Sequence, residues 1–445
     1  KEQAAKAVEE ISLERANFTE SHKEKLLRLL ASFSLAAQLK ETESRLESTQ
    51  LVYRLTGWIP NKDCMEMMSA LDSLTQDRIS IRQYKPEEVP GVLAGHEKVP
   101  VSLKHGKFIG SFERIIFSYG SPLYGTIDPT PFVAIFFTIL FGIMFGDAGQ
   151  GLVFLLLGIL METKIAKVGG WNKFAPVFIA IGVSSCIMGL LTGEFFATEV
   201  VLEPFSRFVT GLFGEPRNAI LPMMPTGSKE SIVRMFAFFG FTVGVGFIIN
   251  SVGLLLNICN QLALGKKGKA LFGKTGLSGA IFFWYVVFVA IKFFLFNKPI
   301  YIVDWGVIGI TLLCSALGEI LERVVDNERP ILENGLLSAI IGSVVELLET
   351  VITYLSNSVS FLRVGAFALS HAVLGTIIAR LMEIVPIVTG KIIVGIVGNG
   401  IVIVLEGMIV AIQVMRLQYY EFFSKFFNET GREFTPFKFE YNTQI

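Results

Sequence analysis

Apolar residues recur along this chain in two rhythms. Over residues 1–50 they are sparse and helically spaced: Leu26, Leu29, Leu30, Phe33, Ala36, Ala37, Leu39 and Leu46. Steps of three and four predict a helix. Its other face is Glu, Lys, Arg and Gln, which suits a coiled-coil arm or a plain amphipathic helix, and periodicity does not separate the two. Leu51–Pro60 reads as a strand, a helix follows over about 63–75 with Asn61 or Asp63 as cap, and Arg78–Tyr84 alternates as a second strand. Pro86, Pro90 and Gly91 break that pattern. Residues 90–130 then read as a connector, with a short amphipathic helix near Ser111–Phe117 and turns at Gly120-Ser-Pro and Asp128-Pro-Thr-Pro.

From Phe132 the rhythm changes to eight long apolar runs, at about 132–145, 148–162, 174–195, 232–262, 275–297, 300–324, 336–384 and 389–426. A membrane span needs about 20 apolar residues. The first two runs are short and meet at the turn Gly146-Asp147-Ala148-Gly149, which suits a shallow hairpin. The last two are too long to stand upright. Some 49 residues at ~1.5 Å rise exceed 70 Å, against a hydrocarbon core of ~30 Å. They must tilt steeply, bend or run beyond the bilayer. The expected fold is therefore mainly α: an eight-helix polytopic membrane domain with two long, tilted C-terminal helices, plus a truncated N-terminal cytoplasmic coiled coil and a small α/β lobe. Its expected parts are a helical arm over 1–50, the lobe piece over 51–90, a connector over 91–130, the membrane domain over 131–426 and a tail over 427–445. The chain opens at Lys1 inside a helical pattern and without Met, so upstream sequence is expected.

Composition sharpens this division. The chain is 52% hydrophobic with 39 Phe among 445 residues. Residues 1–128 carry 35 of the 78 Asp, Glu, Lys and Arg. Net charge is zero, which gives no ground for nucleic-acid binding. Cys64, Cys186, Cys259 and Cys314 lack paired spacing, so neither disulfide nor metal site is expected, and no cofactor. Lysines orient the runs. Lys164, Lys167 and Lys173 lie in one loop, Lys266, Lys267, Lys269 and Lys274 in another, and Lys425, Arg432 and Lys438 towards the tail. Residues 325–335 are mixed, with Arg329 against Asp326, Glu328 and Glu333. This parity puts both termini in the cytoplasm.

The candidate chemistry lies in the last two runs. An arginine amid apolar helix costs about 2.5–3.5 kcal/mol even on mild insertion scales, so it faces a partner, water or an ion path. Run 336–384 carries Glu349, Arg363 and His371; run 389–426 carries Glu406 and Arg416. On the expected topology Glu349 lies about 21 Å inward of Arg363 and His371 about 12 Å outward. Glu406 lies about 15 Å outward of Arg416. Glu349 and Arg363 share a face to within about 40°, with Ser356, Asn357 and Ser360 near it. Glu346 lies round the helix from this strip, and Gln413 is a further lining candidate on the last run. The picture is two half-paths separated by a fixed cation, which arginine suits because it stays protonated. The plainer reading keeps buried Arg–Glu pairs as packing features and lets Arg416 snorkel. Asp147 reads as a cap or turn residue, and Glu194, Glu319 and Glu322 as structural.

Ser356–Ala372 (SNSVSFLRVGAFALSHA) and Leu405–Phe426 (LEGMIVAIQVMRLQYYEFFSKF) resemble the last two helices of the membrane stator subunit, a or I, of rotary V/A-type ATPases. PTPFVAIFFTILFGIMFGDAGQG from Pro129, LTGEFF from Leu191 and GWIP at Gly57 extend the likeness along the chain. Gln150 departs from it, since many members carry His in that turn. The resemblance implies a non-catalytic stator, with ATP hydrolysed elsewhere in the complex. It implies Arg363 as the essential arginine facing a proteolipid rotor ring and Arg416 as its support. Glu349, His371 and Glu406 would then line or influence half-channels for H⁺ or Na⁺. The first 128 residues resemble the inner part of a cytoplasmic arm, and the implied partners are the ring, the peripheral stalks, the central-stalk adaptor and the lipid bilayer. The compact loops resemble prokaryotic members, which implies a plasma-membrane location. Two other readings stand beside this one: a self-contained transporter or channel, which predicts repeated halves that are not evident, and a membrane-anchored scaffold.

Overall fold

The computed structural model describes residues 2–44, 46–48, 52–76, 78–163, 169–196, 198, 202–213, 229–294, 296–326, 335–427 and 431–438. Of the loop charges used above, Lys164, Lys167, Glu328, Arg329 and Glu333 lie outside the described residues. The chain divides into two compact units, residues 1–96 with the segment from Glu433 onward, and residues 97–432.

In the first unit α1 (Glu2–Ser44) is one long helix. Its apolar positions Leu26, Leu29, Leu30, Phe33 and Leu39 are exposed. Two-residue strands β1 (Glu47–Ser48) and β2 (Tyr53–Arg54) pair antiparallel, Glu47 opposite Arg54. The expected strand over Leu51–Pro60 is thus reduced to its start. α2 (Asn61–Thr75) is entered through Pro60, whose φ of −61° suits a helix entry, and no side chain caps it, so Asn61 and Asp63 do not play the expected role. Arg78–Tyr84 forms no strand. Ile79 and Tyr84 are exposed, and alternation makes a strand only beside a partner that takes its hydrogen bonds. The short α3 (Pro90–Leu93) follows.

The second unit opens with α4 (Lys107–Phe117), longer than expected, whose Phe112, Ile115 and Ile116 are buried. His105 ties the segment before it to two places: Nδ1 lies 2.8 Å from Glu113 of α4, and Nε2 lies 2.8 Å from Asp128. Asp128 also accepts from the Thr130 amide at the start of α5 (Thr130–Met144). α6 (Ala148–Glu162) is capped by Asp147, which accepts from the Gln150 amide as its turn context suggested. α7 (Ala175–Thr192) ends on Gly193, whose φ of 82° is the left-handed conformation that closes a helix. α5 and α6 meet through Phe141 and Phe154, ring centroids 5.8 Å apart, and both pack on α7. Glycines explain the α6–α7 approach. A Cβ on Gly158 would lie 2.7 Å from the Ile179 nitrogen, one on Gly182 2.5 Å from that of Leu155, and one on Gly189 would overlap that of Ala148. In lipid, where burying a leucine gains little, such backbone contact is what drives helix association.

Then come α8 (Glu203–Phe213), α9 (Lys229–Ala263), α10 (Lys267–Phe272) and α11 (Leu277–Phe294). α12 (Ile302–Ala316) and α13 (Gly318–Val325) follow, and then α14 (Gly335–Ser360) and α15 (Leu362–Ile384). α16 (Val388–Leu417) runs into a π-helical turn, Gln418–Phe423, and the short α17 (Ser424–Phe426). Among the described residues, five helical stretches are long and apolar enough to cross a membrane: 172–192, 235–263, 267–294, 337–384 and 388–426. Three shorter apolar helices, α5, α6 and α12, accompany them.

The 49-residue run does not continue unbroken. It is interrupted at Phe361, where the Val364 amide bonds the Phe361 carbonyl in a tightened turn. Phe361 is 1% exposed and seated on Gly246 of α9, where a Cβ would come within 2.7 Å of its own Cβ. A phenylalanine-rich core continues from there through Phe136, Phe141, Phe145, Phe422 and Phe423.

Candidate functional site

The break at Phe361 sets the position of Arg363. The guanidinium leaves α15 towards α16, with Nη1 3.4 Å from Gln413 Oε1. Nη2 donates over 3.3 Å to Ser360 Oγ on the last turn of α14. Ser360 in turn donates a short hydrogen bond to Glu421 Oε1. Arg363, Ser360 and Glu421 line an open cavity of ≈ 550 Å³, walled also by Ser356, Asn357 and Arg416. Arg416 is exposed, its guanidinium 5.9 Å from the Tyr420 ring centroid. The expected polar residues Ser356, Asn357, Ser360 and Arg363 therefore line a real cavity, which Arg416 reaches from α16, while Gln413 holds Arg363.

A second centre lies farther along α15. His371 Nδ1 is 2.8 Å from Glu406 Oε2, with side chains 4% and 8% exposed. Phe145 stacks beside the imidazole, ring centroids 4.8 Å apart. Asp147 and Glu194 are buried within electrostatic range of the same ring. Nearby polar packing continues from Gln150, which donates to Asn399 Oδ1 over 2.8 Å. Glutamine thus fills its place in the turn with a defined bond across to α16. Sequence order alone put His371 and Glu406 in the same half of the helix pair; the structure joins them directly.

Two of the expected residues stand apart. Glu349, on the same helix as Ser356 and Ser360, is half-exposed and pairs with Lys274 at 2.6 Å. Glu346 packs near Gly318, within range of Glu319, Glu322 and Lys274. It too belongs to this separate charged group.

Sequence reasoning missed Glu421, Gln418 and Lys425. Five α-helical steps put Glu421 about 140° from Arg416, which reads as the far face. The π-helical turn has about 4.4 residues per turn, and over three steps it takes back about 50°. That brings Glu421 to the cavity. Lys425, counted above among charges towards the tail, is instead buried at 1% exposure against Tyr354. Aromatic crowding in QYYEFFSKFF gave a weak signal that this stretch is core.

Residues 38–208 and 322–439 match the model of the V-type ATPase 116kDa subunit family. The chain belongs to that family. The family is ATPase subunit I, a non-catalytic membrane subunit of a rotary ATPase complex. Over 241 residues, 54% of this chain and 53% of the relative, it is 46% identical to the V-type ATP synthase subunit I 2 of Treponema pallidum. The A-type ATP synthase subunit I of Methanocaldococcus jannaschii is 27% identical over 93% of this chain and 59% of its own length. That of Saccharolobus solfataricus is 28% identical over 86% and 60%. The chain thus spans between 53% and 60% of the length of these relatives. Family membership and the five long apolar helical stretches make this subunit an integral membrane protein. His371, Glu406, Arg363 and Arg416 all lie in the second matched block.

Proposed function

We propose that this subunit I carries H⁺ or Na⁺ across the membrane against a proteolipid rotor ring, by two half-channels kept apart by Arg363. The observation that carries the reading is the placing of Arg363. It is held by Ser360 and Gln413 on the wall of an open cavity between the last two long helices, with the buried His371–Glu406 pair in the same helix pair about 12 Å farther on. The cavity is one half-path and the histidine–glutamate centre lies on the other. A fixed guanidinium between them attracts an arriving ring carboxylate, expels its cation and blocks a direct leak, because arginine neither gives up its proton nor loses its charge. Eight apolar helices form the membrane domain in this reading, with the last two tilted along the ring. The positive-inside rule, applied to Lys266, Lys267, Lys269 and Lys274, supports a cytoplasmic side for their segment and, by parity, for the first unit and the chain's C-terminal segment. The first unit serves as the inner part of an arm towards the peripheral stalks.

The test is Arg363→Ala in the assembled complex, read by ATP-driven ion uptake into vesicles. Uptake is expected to vanish while assembly and soluble ATP hydrolysis persist. Retained uptake overturns the reading, and uptake by this chain alone in vesicles would make it a self-contained transporter instead.

A further inference from the structure

Where α9 ends, the second unit encloses a cavity that the proposed ion path does not use. Gly265 takes a φ of 78°, and the Lys266 amide bonds back to the Gln261 carbonyl over 3.0 Å, a left-handed closure that ends the helix. This returns Lys266 to the last turn of α9, and α10 brings Lys269 to the same place. With Asn260, Gln261 and Leu264 they wall a cavity of ≈ 130 Å³. The rest of its wall comes from the segment between Pro122 and Pro129 and from Phe426 and Phe427. These walls are pinned. Asn260 Oδ1 accepts from the Ile127 amide over 2.8 Å, Thr126 Oγ1 donates to the Leu123 carbonyl over 2.7 Å, and the Gly431 amide bonds the Ser121 carbonyl over 2.8 Å.

The lining is of three kinds, and each narrows the occupant. Lys266 and Lys269 enter no ion pair among the described residues, and two unanswered ammonium groups call for an anion. Gln261 is 6% exposed, and its Oε1 is buried without a hydrogen bond while its Nε2 donates over 3.4 Å to Asn257. An acceptor without a donor calls for a hydroxyl. The remainder is apolar, with Leu123, Phe426 and Phe427 inside. Ile127 and Leu264, 40% and 38% exposed, carry that apolar surface out to the rim. A free phosphate would leave this apolar wall wet; an amphiphile covers it. At ~30 Å³ per water the cavity holds about four waters, or one phosphate-sized group, and no acyl chain. The headgroup therefore enters and the chains stay outside along the rim.

We propose that this cavity binds the headgroup of an anionic phospholipid with a free hydroxyl, of the phosphatidylglycerol type: Lys266 and Lys269 take the phosphate, Gln261 Oε1 accepts from the hydroxyl, and the chains follow Leu264 and Ile127 into the bilayer. This rests on the topology of the proposed function, which puts this end of α9 on the cytoplasmic side, where basic pockets meet anionic headgroups. The lipid then joins α9, the connector before α5 and the end of α17.

The test is native mass spectrometry of the complete complex, purified in detergent, stripped of lipid and titrated with phosphatidylglycerol, phosphatidic acid or phosphatidylcholine. Wild type should retain a phosphatidylglycerol that Lys266→Ala/Lys269→Ala binds about tenfold or more weakly. Lys267→Ala, whose lysine lies outside the cavity lining, should stay within about twofold of wild type. Gln261→Leu should erase the preference for phosphatidylglycerol over phosphatidic acid, which has no headgroup hydroxyl. Equal retention of phosphatidylcholine, unchanged affinity in the double variant, a Lys267→Ala loss as large as the pair's, or a hydroxyl preference that survives Gln261→Leu overturns the proposal. Displacement of the lipid by glycerol 3-phosphate would assign the cavity to a soluble phosphate ester and overturns it too. ATP-driven uptake separates this proposal from the ion path. Uptake that survives Arg363→Ala beside retained phosphatidylglycerol defeats the ion path alone, whereas a dead Arg363→Ala beside absent lipid binding defeats the lipid site alone.

Discussion

Phe361 and Gly246 form a lock whose removal should move Arg363 without touching it. Phe361 is 1% exposed at the break between α14 and α15, and Gly246 of α9 leaves the space its ring fills. Truncation to alanine inside a membrane protein loses little transfer free energy, because lipid is as apolar as the core. What remains is the cavity. A void of ~100 Å³ at about 24 cal/mol per Å³ costs about 2.4 kcal/mol if nothing collapses into it. Gly246→Ala acts from the other side: its methyl would stand within 2.7 Å of Phe361 Cβ, and overpacking of this kind costs about 1–3 kcal/mol. The two changes compensate in shape, so the double variant should cost less than the sum, by about 1 kcal/mol or more. Stability of the purified subunit in detergent, titrated with denaturant, gives all three numbers. Ion uptake by the assembled complex should fall in both single variants and recover partly in the double. Strict additivity in stability, or uptake unchanged in Phe361→Ala, would refute the idea that this contact sets the break and the aim of Arg363.

Two further outcomes follow from the packing. Gly189→Ala puts a methyl into the Ala148 backbone, so the α6–α7 pair must separate; loss of folded subunit from membranes is expected, whereas exposed Gly306→Ala, with open space around its Cα, should accumulate normally. His371→Leu leaves Glu406 buried without its imidazole partner and should destabilise the subunit by about 3–5 kcal/mol, while His371→Leu/Glu406→Leu should recover much of that stability yet not ion uptake, as measured by denaturant titration and vesicle transport.

The membrane part of the chain was legible because lipid imposes one strong rule, that an apolar run of sufficient length becomes a helix. All eight apolar runs contain helices close to their expected bounds. Charges inside those runs drew notice for the same reason, since a costly residue needs a cause; this led to Arg363, His371 and Glu406, and sequence order put the last two in one half of the helix pair, though it did not name them as hydrogen-bonded partners. The first unit was harder to read. Its short strands depend on partners that local alternation does not name, and Arg78–Tyr84 alternates without becoming a strand.

Where helical reckoning failed, it failed at departures from 3.6 residues per turn. At Phe361 the helices α14 and α15 join through a tightened turn, and Glu349, earlier on α14, pairs with Lys274. The π-helical turn brought Glu421 round to the cavity and put Lys425 in the core. Both departures flank the same arginine. A π-helical turn costs hydrogen-bond geometry and persists where something else is gained, commonly at functional sites. Here the gain is a counter-charge one serine away from Arg363 that a straight α-helix would have turned elsewhere. The irregular backbone and the candidate chemistry are thus two views of one arrangement, in which α14 and α16 each give up regularity within a few residues of the group they position.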